Sequence, residues 1–289
     1  MQHLLSVDDL NKQDIDKIFW SIKYPQGLSG KILATAFFEP STRTKLSFQT
    51  AMYKLGGQVI DLDNNSSLKK GESEADTIKT LSQYANIVAI RHPGHKDYMK
   101  ALAFSSEVPV INAGDGANEH PTQALTDLYT INQYMDRKKQ LTIMFTGDLY
   151  YSRTIHSLLK ILKLSDYDLK LIFTNEVNYD LIDYNIFGSC IFGDEKIINN
   201  CIKEVDVLYM TRLQKERFDH PLKKKIQSNF ILEMDLVNKM KTDAIIMHPL
   251  PRNKEIHPAV DCDARAKYFK QVKNGTEVRQ SLLFHMLHS

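Results

Sequence analysis

Cysteine is scarce in this chain of 289 residues, and the pattern of its three cysteines excludes two kinds of framework. Cys190, Cys201 and Cys262 are odd in number and include no C-x-x-C pair, so they indicate neither a set of disulfides nor a zinc site. We expect free, mostly buried thiols, which are typical of a reducing compartment.

Long apolar runs are missing as well. No stretch approaches the roughly 18 apolar residues that a membrane-spanning helix needs. Residues 1–20 also lack the basic and then apolar order of a signal peptide. The sequence therefore predicts a soluble, cytoplasmic protein without a membrane partner.

The chain also has almost no excess of charge of one sign. Lysine and arginine total 37, aspartate and glutamate total 35, and the formal net charge is only +2. Because nucleic-acid-binding domains usually carry a strongly basic face, this balance argues against such a partner. Two phosphate-binding signatures are missing too, since neither G-x-x-x-x-G-K-[ST] nor G-x-G-x-x-G occurs. Any anion site must therefore be built from a few well-placed basic residues.

What the chain does have is an alternation of short apolar runs with segments of helical period. The apolar runs predict strands at 31–38, 58–62, 87–91, 108–112, 141–146, 169–173, 205–210 and 244–247. Strands that alternate with helices favour parallel sheets covered on both faces, and two such sets predict two α/β domains with a boundary near residues 133–140. One helix is predicted at 45–55. Asn274-Gly275 predicts a break, followed by a separate terminal helix at 276–287.

Polar motifs follow most of the predicted strands, which is where open sheets bind their ligands. The first is Pro40-Ser41-Thr42-Arg43-Thr44, between a strand and the start of a helix. Three hydroxyls and one guanidinium beside a helix N-terminus suit a dianionic phosphate. The alternative is that Ser41 or Thr42 only caps the helix and that Arg43 is a plain surface residue.

The other motifs hold basic or amide side chains in similar positions. They are Ser66–Glu72, Arg91–Pro93, Asn112–Gln123 with His120 and Gln123, Gly147–Thr154 with Arg153, Thr211–Phe218 with Arg212 and Gln214, and His248–Arg252. Each alone has a structural alternative, such as a solvated loop, a structural histidine or a plain turn. Together they predict binding of a phosphate and a carboxylate, and hence phosphoryl or acyl transfer between small anions.

Four of these motifs, taken in order, resemble the aspartate/ornithine carbamoyltransferase family. They are FFEPSTRT at 37–44, RHP at 91–93, HPTQ at 120–123 and HPLPR at 248–252. The resemblance extends from about Leu4 to Leu287. The chain is more similar to the aspartate branch, because Pro249 stands where ornithine enzymes usually have a cysteine.

The resemblance implies an α/β fold of two domains, each a parallel β-sheet flanked by helices, with the active site between them. Residues 1–134, completed by a C-terminal helix at 275–289, would bind carbamoyl phosphate, and residues 135–274 would bind aspartate. The implied reaction gives N-carbamoyl-L-aspartate and phosphate, a step of de novo pyrimidine biosynthesis, without a metal or other cofactor. The family also implies a homotrimer with shared active sites.

Site residues follow from the matched motifs. The phosphate is expected to contact Ser41, Thr42, Arg43, Thr44 and Arg91, together with Ser66 and Lys70 of a neighbouring chain. The carbonyl oxygen is expected to contact Thr44, Arg91 and His120. The carbamoyl NH2 is expected to contact Gln123 and the backbone carbonyls of Pro249 and Leu250. Aspartate is expected to contact Arg153, Arg212, Gln214 and Lys70. The expected catalytic residues are Arg43, Thr44, Lys70, Arg91 and His120.

Several alternatives stay open at this point. Ser66 is placed on the phosphate rather than Ser67 by counting back from Lys70, and residues 175–200 align poorly with the family. The sequence does not decide whether a separate regulatory chain binds. Two other functions compete with the main one: a transcarbamoylase for ornithine or another amine, and a catalytically silent family member that acts as a binding protein.

Overall fold

The computed structural model describes residues 2–62, 71–94, 96–135, 139–175, 177, 184–214 and 230–288. The chain divides into two compact units, Met1–Tyr129 with Lys273–Ser289 and Thr130–Val272. None of the helices in the described ranges has the length and apolarity that a membrane crossing requires.

The first unit is built on a parallel sheet of four strands in the order β2-β1-β3-β4. The strands are β1 (Ile32–Phe37), β2 (Gln58–Asp61), β3 (Ile87–His92) and β4 (Val110–Asp115). The helices are α1 (Lys12–Ile22), α2 (Thr42–Lys54), α3 (Glu74–Ser82), α4 (Lys96–Phe104) and α5 (Pro121–Met135), the last of which continues into the second unit. Strands β1, β3 and β4 are buried along nearly their whole length, as expected for a parallel sheet covered on both faces.

The second unit contains a parallel sheet of five strands in the order β7-β6-β5-β8-β9. The strands are β5 (Gln140–Thr146), β6 (Asp168–Phe173), β7 (Ser189–Phe192), β8 (Val207–Met210) and β9 (Ile245–Met247). The helices are α6 (Arg153–Leu162), α7 (Lys196–Cys201), α8 (Met234–Val237) and α9 (Tyr268–Leu287), and the part of α9 from Lys273 onward belongs to the first unit. The predicted fold class, two parallel sheets flanked by helices, is confirmed.

The sequence-based assignment is wrong at the C-terminus. Asn274-Gly275 does not interrupt α9, which runs for 20 residues. A Cβ at position 275 would lie 2.8 Å from the Arg279 guanidinium, which donates from NH1 to the Gly275 carbonyl at 3.0 Å. Gly275 therefore leaves room for a buried side chain inside a continuous helix, rather than ending one.

Three further details differ from expectation. Helix α2 begins at Thr42 instead of residue 45, so the hydroxyl-rich motif lies in its first turn. Strand β7 lies in a region where no strand was predicted, and its edge position leaves both ends exposed. The cysteines are free, but Cys190 and Cys201 are only half-buried and Cys262 is exposed.

Gly147 ends β5 in a conformation that only glycine tolerates, and replacing it is expected to destabilise the second unit. Its φ is +104°, and a Cβ there would lie 2.0 Å from the Thr211 carbonyl oxygen. Strained backbone and overpacking each cost roughly 1–3 kcal/mol, so Gly147→Ala should lower the free energy of unfolding by roughly 2–6 kcal/mol. Urea unfolding followed by circular dichroism measures the change.

Gly188→Ala is the matched control for this measurement. Gly188 also has a positive φ, +68°, but a Cβ there meets nothing within 4 Å. Gly188→Ala should therefore lower the free energy of unfolding only by the cost of a left-handed backbone, about 1–2 kcal/mol. Equal losses in the two variants would contradict the close approach to Thr211.

Candidate active site

Each sheet has one topological switch point, which is a pair of neighbouring strands whose following connections run to opposite sides of the sheet. In the first sheet it lies between β1 and β3, and in the second between β5 and β8. Open α/β sheets bind ligands outside the carboxyl ends of their strands at such a point. The predicted anion-binding residues follow these four strands: Ser41–Thr44 after β1, Arg91 at the end of β3, Arg153 beyond β5 and Arg212 beyond β8.

The first of these groups is the N-terminus of α2. Ser41 occupies the N-cap position with extended backbone, but its side chain makes no capping hydrogen bond. Thr42 and Arg43 are exposed in the first helical turn, whereas Thr44 is buried. Simple capping by Ser41 is therefore not its role in this structure. The Ser41 hydroxyl, two threonine hydroxyls and a guanidinium thus lie at a helix N-terminus, an arrangement that is suited to binding an anion.

Arg91 is already oriented by protein contacts at the end of β3. Its NH2 lies 2.6 Å from Oε1 of Glu39, and its NH1 donates to the Ala113 carbonyl at 3.3 Å. Both members of the ion pair are largely shielded from solvent. The Arg91 guanidinium is therefore held at the carboxyl end of β3. A phosphate or carbonyl oxygen that binds there would compete with Glu39 for the hydrogen bonds of this guanidinium.

His120 immediately precedes α5 and meets Thr44 of α2. The distance from His120 Nε2 to Thr44 Oγ1 is 3.4 Å, and both residues are buried. The turn before His120 is fixed by Asp115, which accepts hydrogen bonds from the Glu119 backbone N–H and the Asn118 amide. Burial raises the pKa of Asp115, an effect that these hydrogen bonds oppose. Two polar side chains from separate helices thus converge beside the same strand ends.

Gln123 lies in the first turn of α5, and its side-chain amide has a defined orientation. Its Nε2 donates to Asp127 Oδ1 at 2.7 Å, and Asp127 is fully buried. Because a carboxylate only accepts, this contact places the amide NH2 toward Asp127 and leaves the carbonyl oxygen of Gln123 as the outward acceptor.

In the second unit, Asp148 joins the loops that carry the predicted carboxylate-binding residues. Its Oδ1 accepts from the Tyr151 backbone N–H at 2.9 Å, and its Oδ2 accepts from the Gln214 backbone N–H at 3.1 Å. The Gln214 side chain donates to the Tyr151 carbonyl at 3.2 Å. The loops after β5 and β8 are therefore tied together, with buried Arg153 at the start of α6 and half-buried Arg212 on the other loop.

The loop after β9 is held by His248, which is buried. The Leu250 backbone N–H donates to His248 Nδ1 at 2.8 Å, so Nε2 carries the ring hydrogen and donates to Glu255 Oε1 at 3.0 Å. Burial alone would raise the pKa of Glu255, but the hydrogen bonds from His248 and from backbone N–H groups outweigh burial and lower it. Leu250 has a φ of +55°, and the half-buried Pro249 and Leu250 carry the carbonyls predicted to bind an NH2 group.

Some of the predicted site lies outside the described residues, and some contacts were missed. Ser66 and Lys70 fall in the range 63–70, which is not described. Sequence reasoning missed Glu39, Asp148 and Glu255. Glu39 and Asp148 lie inside motifs that were recognised, so an acid beside an arginine was an available signal, whereas Glu255 had none. In the described ranges, no group of three or more His, Cys, Asp or Glu side chains could hold a metal ion.

Two family models match the chain in tandem. The model for the aspartate/ornithine carbamoyltransferase carbamoyl-P binding domain matches residues 2–133, and the model for the Asp/Orn binding domain matches residues 139–286. The chain therefore belongs to the aspartate/ornithine carbamoyltransferase family, as its four motifs predicted.

Relatives place the chain within one branch of this family. It is 43% identical to the aspartate carbamoyltransferase catalytic subunit of Archaeoglobus fulgidus, with 99% of each chain covered, and 45% identical to that of Methanococcus vannielii, with 98% and 97% covered. Aspartate transcarbamoylase of Trypanosoma cruzi, solved with carbamoyl aspartate and phosphate, superposes with a TM-score of 0.90 at 33% identity, with 98% and 95% covered. The catalytic subunit from M. jannaschii gives 0.88 at 42% identity, with 100% and 98% covered.

Proposed function

We propose that this chain transfers the carbamoyl group of carbamoyl phosphate to the amine of L-aspartate, giving N-carbamoyl-L-aspartate and phosphate. The observation that carries the proposal is the meeting of Thr44 and His120 at the carboxyl ends of the first sheet, 3.4 Å apart. Membership of the family and the names of its relatives supply the substrates. In this reaction the chain serves de novo pyrimidine biosynthesis.

Stabilisation of the developing oxyanion lowers the barrier of this reaction, so no covalent nucleophile of the protein is needed. When the amine nitrogen attacks the carbonyl carbon, the carbonyl oxygen becomes negative, and donors aimed at it lower the barrier. Thr44, His120 and Arg91 are the proposed donors. As the C–O bond to phosphate breaks, the amine nitrogen gives up a proton to the departing phosphate, and Arg43 with the α2 N-terminus stabilises the negative charge that collects on this leaving group.

Acceptors are needed on the other side of the carbamoyl group. Its NH2 is proposed to donate to the carbonyl oxygen of Gln123, which the contact with Asp127 turns outward. The backbone carbonyls of Pro249 and Leu250, fixed through His248, are the other proposed acceptors. Donors for the oxygen and acceptors for the NH2 together define the plane of the carbamoyl group.

The two carboxylates of aspartate are proposed to bind Arg153 and Arg212, with Gln214 beside them. A guanidinium pairs with a carboxylate through two parallel hydrogen bonds, and two such pairs distinguish a dicarboxylate from an amine with a cationic side chain. Asp148 supports this proposal because it ties together the two loops that carry these arginines.

The test offers the purified chain carbamoyl phosphate with L-aspartate and, separately, with L-ornithine, and measures the ureido product. Product with aspartate alone is expected. Product with ornithine alone would overturn the assignment of Arg153 and Arg212. Product with neither, from a folded chain that binds carbamoyl phosphate, would favour a silent binding protein.

A homotrimer with shared active sites is part of the proposal, and a mixing experiment tests it. Arg43→Ala and Lys70→Ala chains should each be inactive. If Lys70 acts in the neighbouring chain's site, random mixing should restore about one quarter of the wild-type activity, because each mixed ring of three regains one intact site. Activity is measured after verified subunit exchange.

A second mixture controls this result. Arg43→Ala with Arg91→Ala should give no recovery, because both residues are proposed to serve the site of their own chain. Recovery in both mixtures, or in neither, would contradict a shared site. The cytoplasmic location and the possible regulatory chain remain predictions.

A further inference from the structure

Arg279 of α9 is a fully buried cation in the first unit. Its NH1 donates to the Gly275 carbonyl at 3.0 Å, its NH2 donates to Thr122 Oγ1 at 3.1 Å, and its guanidinium lies 5.1 Å from the centre of the Phe48 ring. Burial lowers the pKa of Arg279 to about 10, against the opposing charge of Asp127, so the side chain stays charged at neutral pH. An isolated buried charge is costly, and packing alone would be served better by an apolar side chain.

Through Thr122, this guanidinium reaches His120. The hydroxyl oxygen of Thr122 accepts from Arg279, so its hydrogen is available to His120 Nδ1 at 3.4 Å. When Nδ1 accepts this hydrogen it carries none of its own, and the neutral imidazole then bears its hydrogen on Nε2. That nitrogen lies 3.4 Å from Thr44 Oγ1. Contacts of this length tighten when a substrate oxygen arrives.

Asp127 is the acidic group whose charge acts on Arg279, and it also contacts Gln123. The charge of Asp127 acts on Arg279 to raise its pKa, while the Asp127 carboxylate accepts from Gln123 Nε2. The hydrogen-bonded route from this guanidinium to the proposed site is therefore the one through Thr122 to His120. The Arg279 guanidinium also packs over the ring of Phe48, which lies one helical turn after Thr44 in α2.

We propose that Arg279 is a positioning residue that fixes His120 as the Nε2–H tautomer through Thr122. The His120 ring contacts Thr44 from α2 and Thr122 from α5, and Arg279 from α9 donates to the same Thr122 hydroxyl. The tautomer belongs to the folded chain without substrate. Only its effect on rate rests on the proposed carbamoyl transfer.

The test is nitrogen-15 NMR of the full chain with ring-labelled histidine and no substrate, with the His120 signals assigned by their loss in His120→Asn. The wild type should show a hydrogen-bearing Nε2 and an accepting Nδ1. Both Arg279→Met and Thr122→Val should convert this to a mixture of tautomers. Thr122→Val preserves side-chain shape and keeps Arg279, so it tests the relay even if Arg279→Met does not fold.

Rates provide the second measurement. Loss of a residue that orients a metal-binding histidine typically costs roughly 10–100-fold, and we expect kcat to fall by a similar factor in both variants, with the KM for carbamoyl phosphate changing much less. Arg279→Lys keeps the charge and a hydrogen-bond donor group. It should recover part of kcat and raise the fraction of the Nε2–H tautomer above that in Arg279→Met.

Arg265→Met is the matched control for losing a largely buried arginine. Arg265 bonds Asp263 and the Val237 carbonyl in the second unit. Its loss should destabilise the protein and leave the His120 signals unchanged. An unchanged tautomer in Arg279→Met and Thr122→Val, or an Nδ1–H tautomer in the wild type, would overturn the proposal. The expected tautomer in a chain that makes no ureido product would instead count against the carbamoyl transfer alone.

Discussion

Arg43→Ala is expected to lower kcat for carbamoyl transfer by roughly 10³–10⁵-fold, the range seen when an arginine that stabilises charge on a transferring phosphoryl group is removed. Arg43 is exposed in the first turn of α2, so its guanidinium can reach a bound phosphate together with the helix N–H groups. Its charge matters most when the leaving phosphate becomes more negative. The KM for carbamoyl phosphate should therefore change less than kcat, which steady-state assays with both substrates measure.

Two variants control this prediction. Arg43→Lys keeps the charge but lacks the planar fork, and should recover only part of the loss. Lys54→Ala removes an exposed charge from the other end of the same helix and should leave kcat unchanged. If Arg43→Ala kept activity close to that of Lys54→Ala, the proposed role of Arg43 in leaving-group stabilisation would be wrong.

The sheets could be predicted because their strands carry local information. β1, β3 and β5 are buried almost throughout, so each reads as a mainly apolar run in the sequence. β7 is different. It lies at the edge of its sheet and has exposed ends, so its four residues lack both a long apolar run and a clear alternation.

The positions of the motifs were predictable for the same reason. A polar loop after a buried strand must lie at the carboxyl edge of the sheet, which places Arg91 and the α2 N-terminus together without further information. The partners of these residues were not predictable. Thr122 and Arg279 are 157 residues apart, and only the packing of α9 brings them into contact.

Gly275 illustrates how this packing overrides local preference. By propensity alone, an Asn-Gly pair favours a turn, and it was assigned as a break. The cost of a glycine inside a helix is only about 1 kcal/mol, which a buried charged hydrogen bond can offset. Arg279, which packs against Gly275 inside the continuous helix, is also the residue that links α9 to His120 through Thr122.

The second large effect is expected at His120. His120→Ala should lower kcat by roughly 10²–10³-fold, or about 2.7–4 kcal/mol, because it removes one donor to the developing oxyanion while Thr44 and Arg91 remain. Stopped assays of ureido product over a range of carbamoyl phosphate concentrations separate this loss from a change in KM. His257→Ala is the control histidine. It is exposed, and its ring accepts from the Ala259 N–H at the start of a short 3₁₀ helix, so kcat should be unchanged.

His120→Asn distinguishes a hydrogen-bond donor from a general base. The asparagine amide can still donate toward the carbonyl oxygen, although from a shorter side chain, but it cannot accept a proton at neutral pH. If His120 acts as the Nε2–H donor held by Thr122, Asn should retain clearly more kcat than Ala. If His120 removes the proton of the attacking amine, the two variants should be equally impaired. Equal impairment would replace the oxyanion role with a base, and would require Nε2 to carry no hydrogen in the free chain.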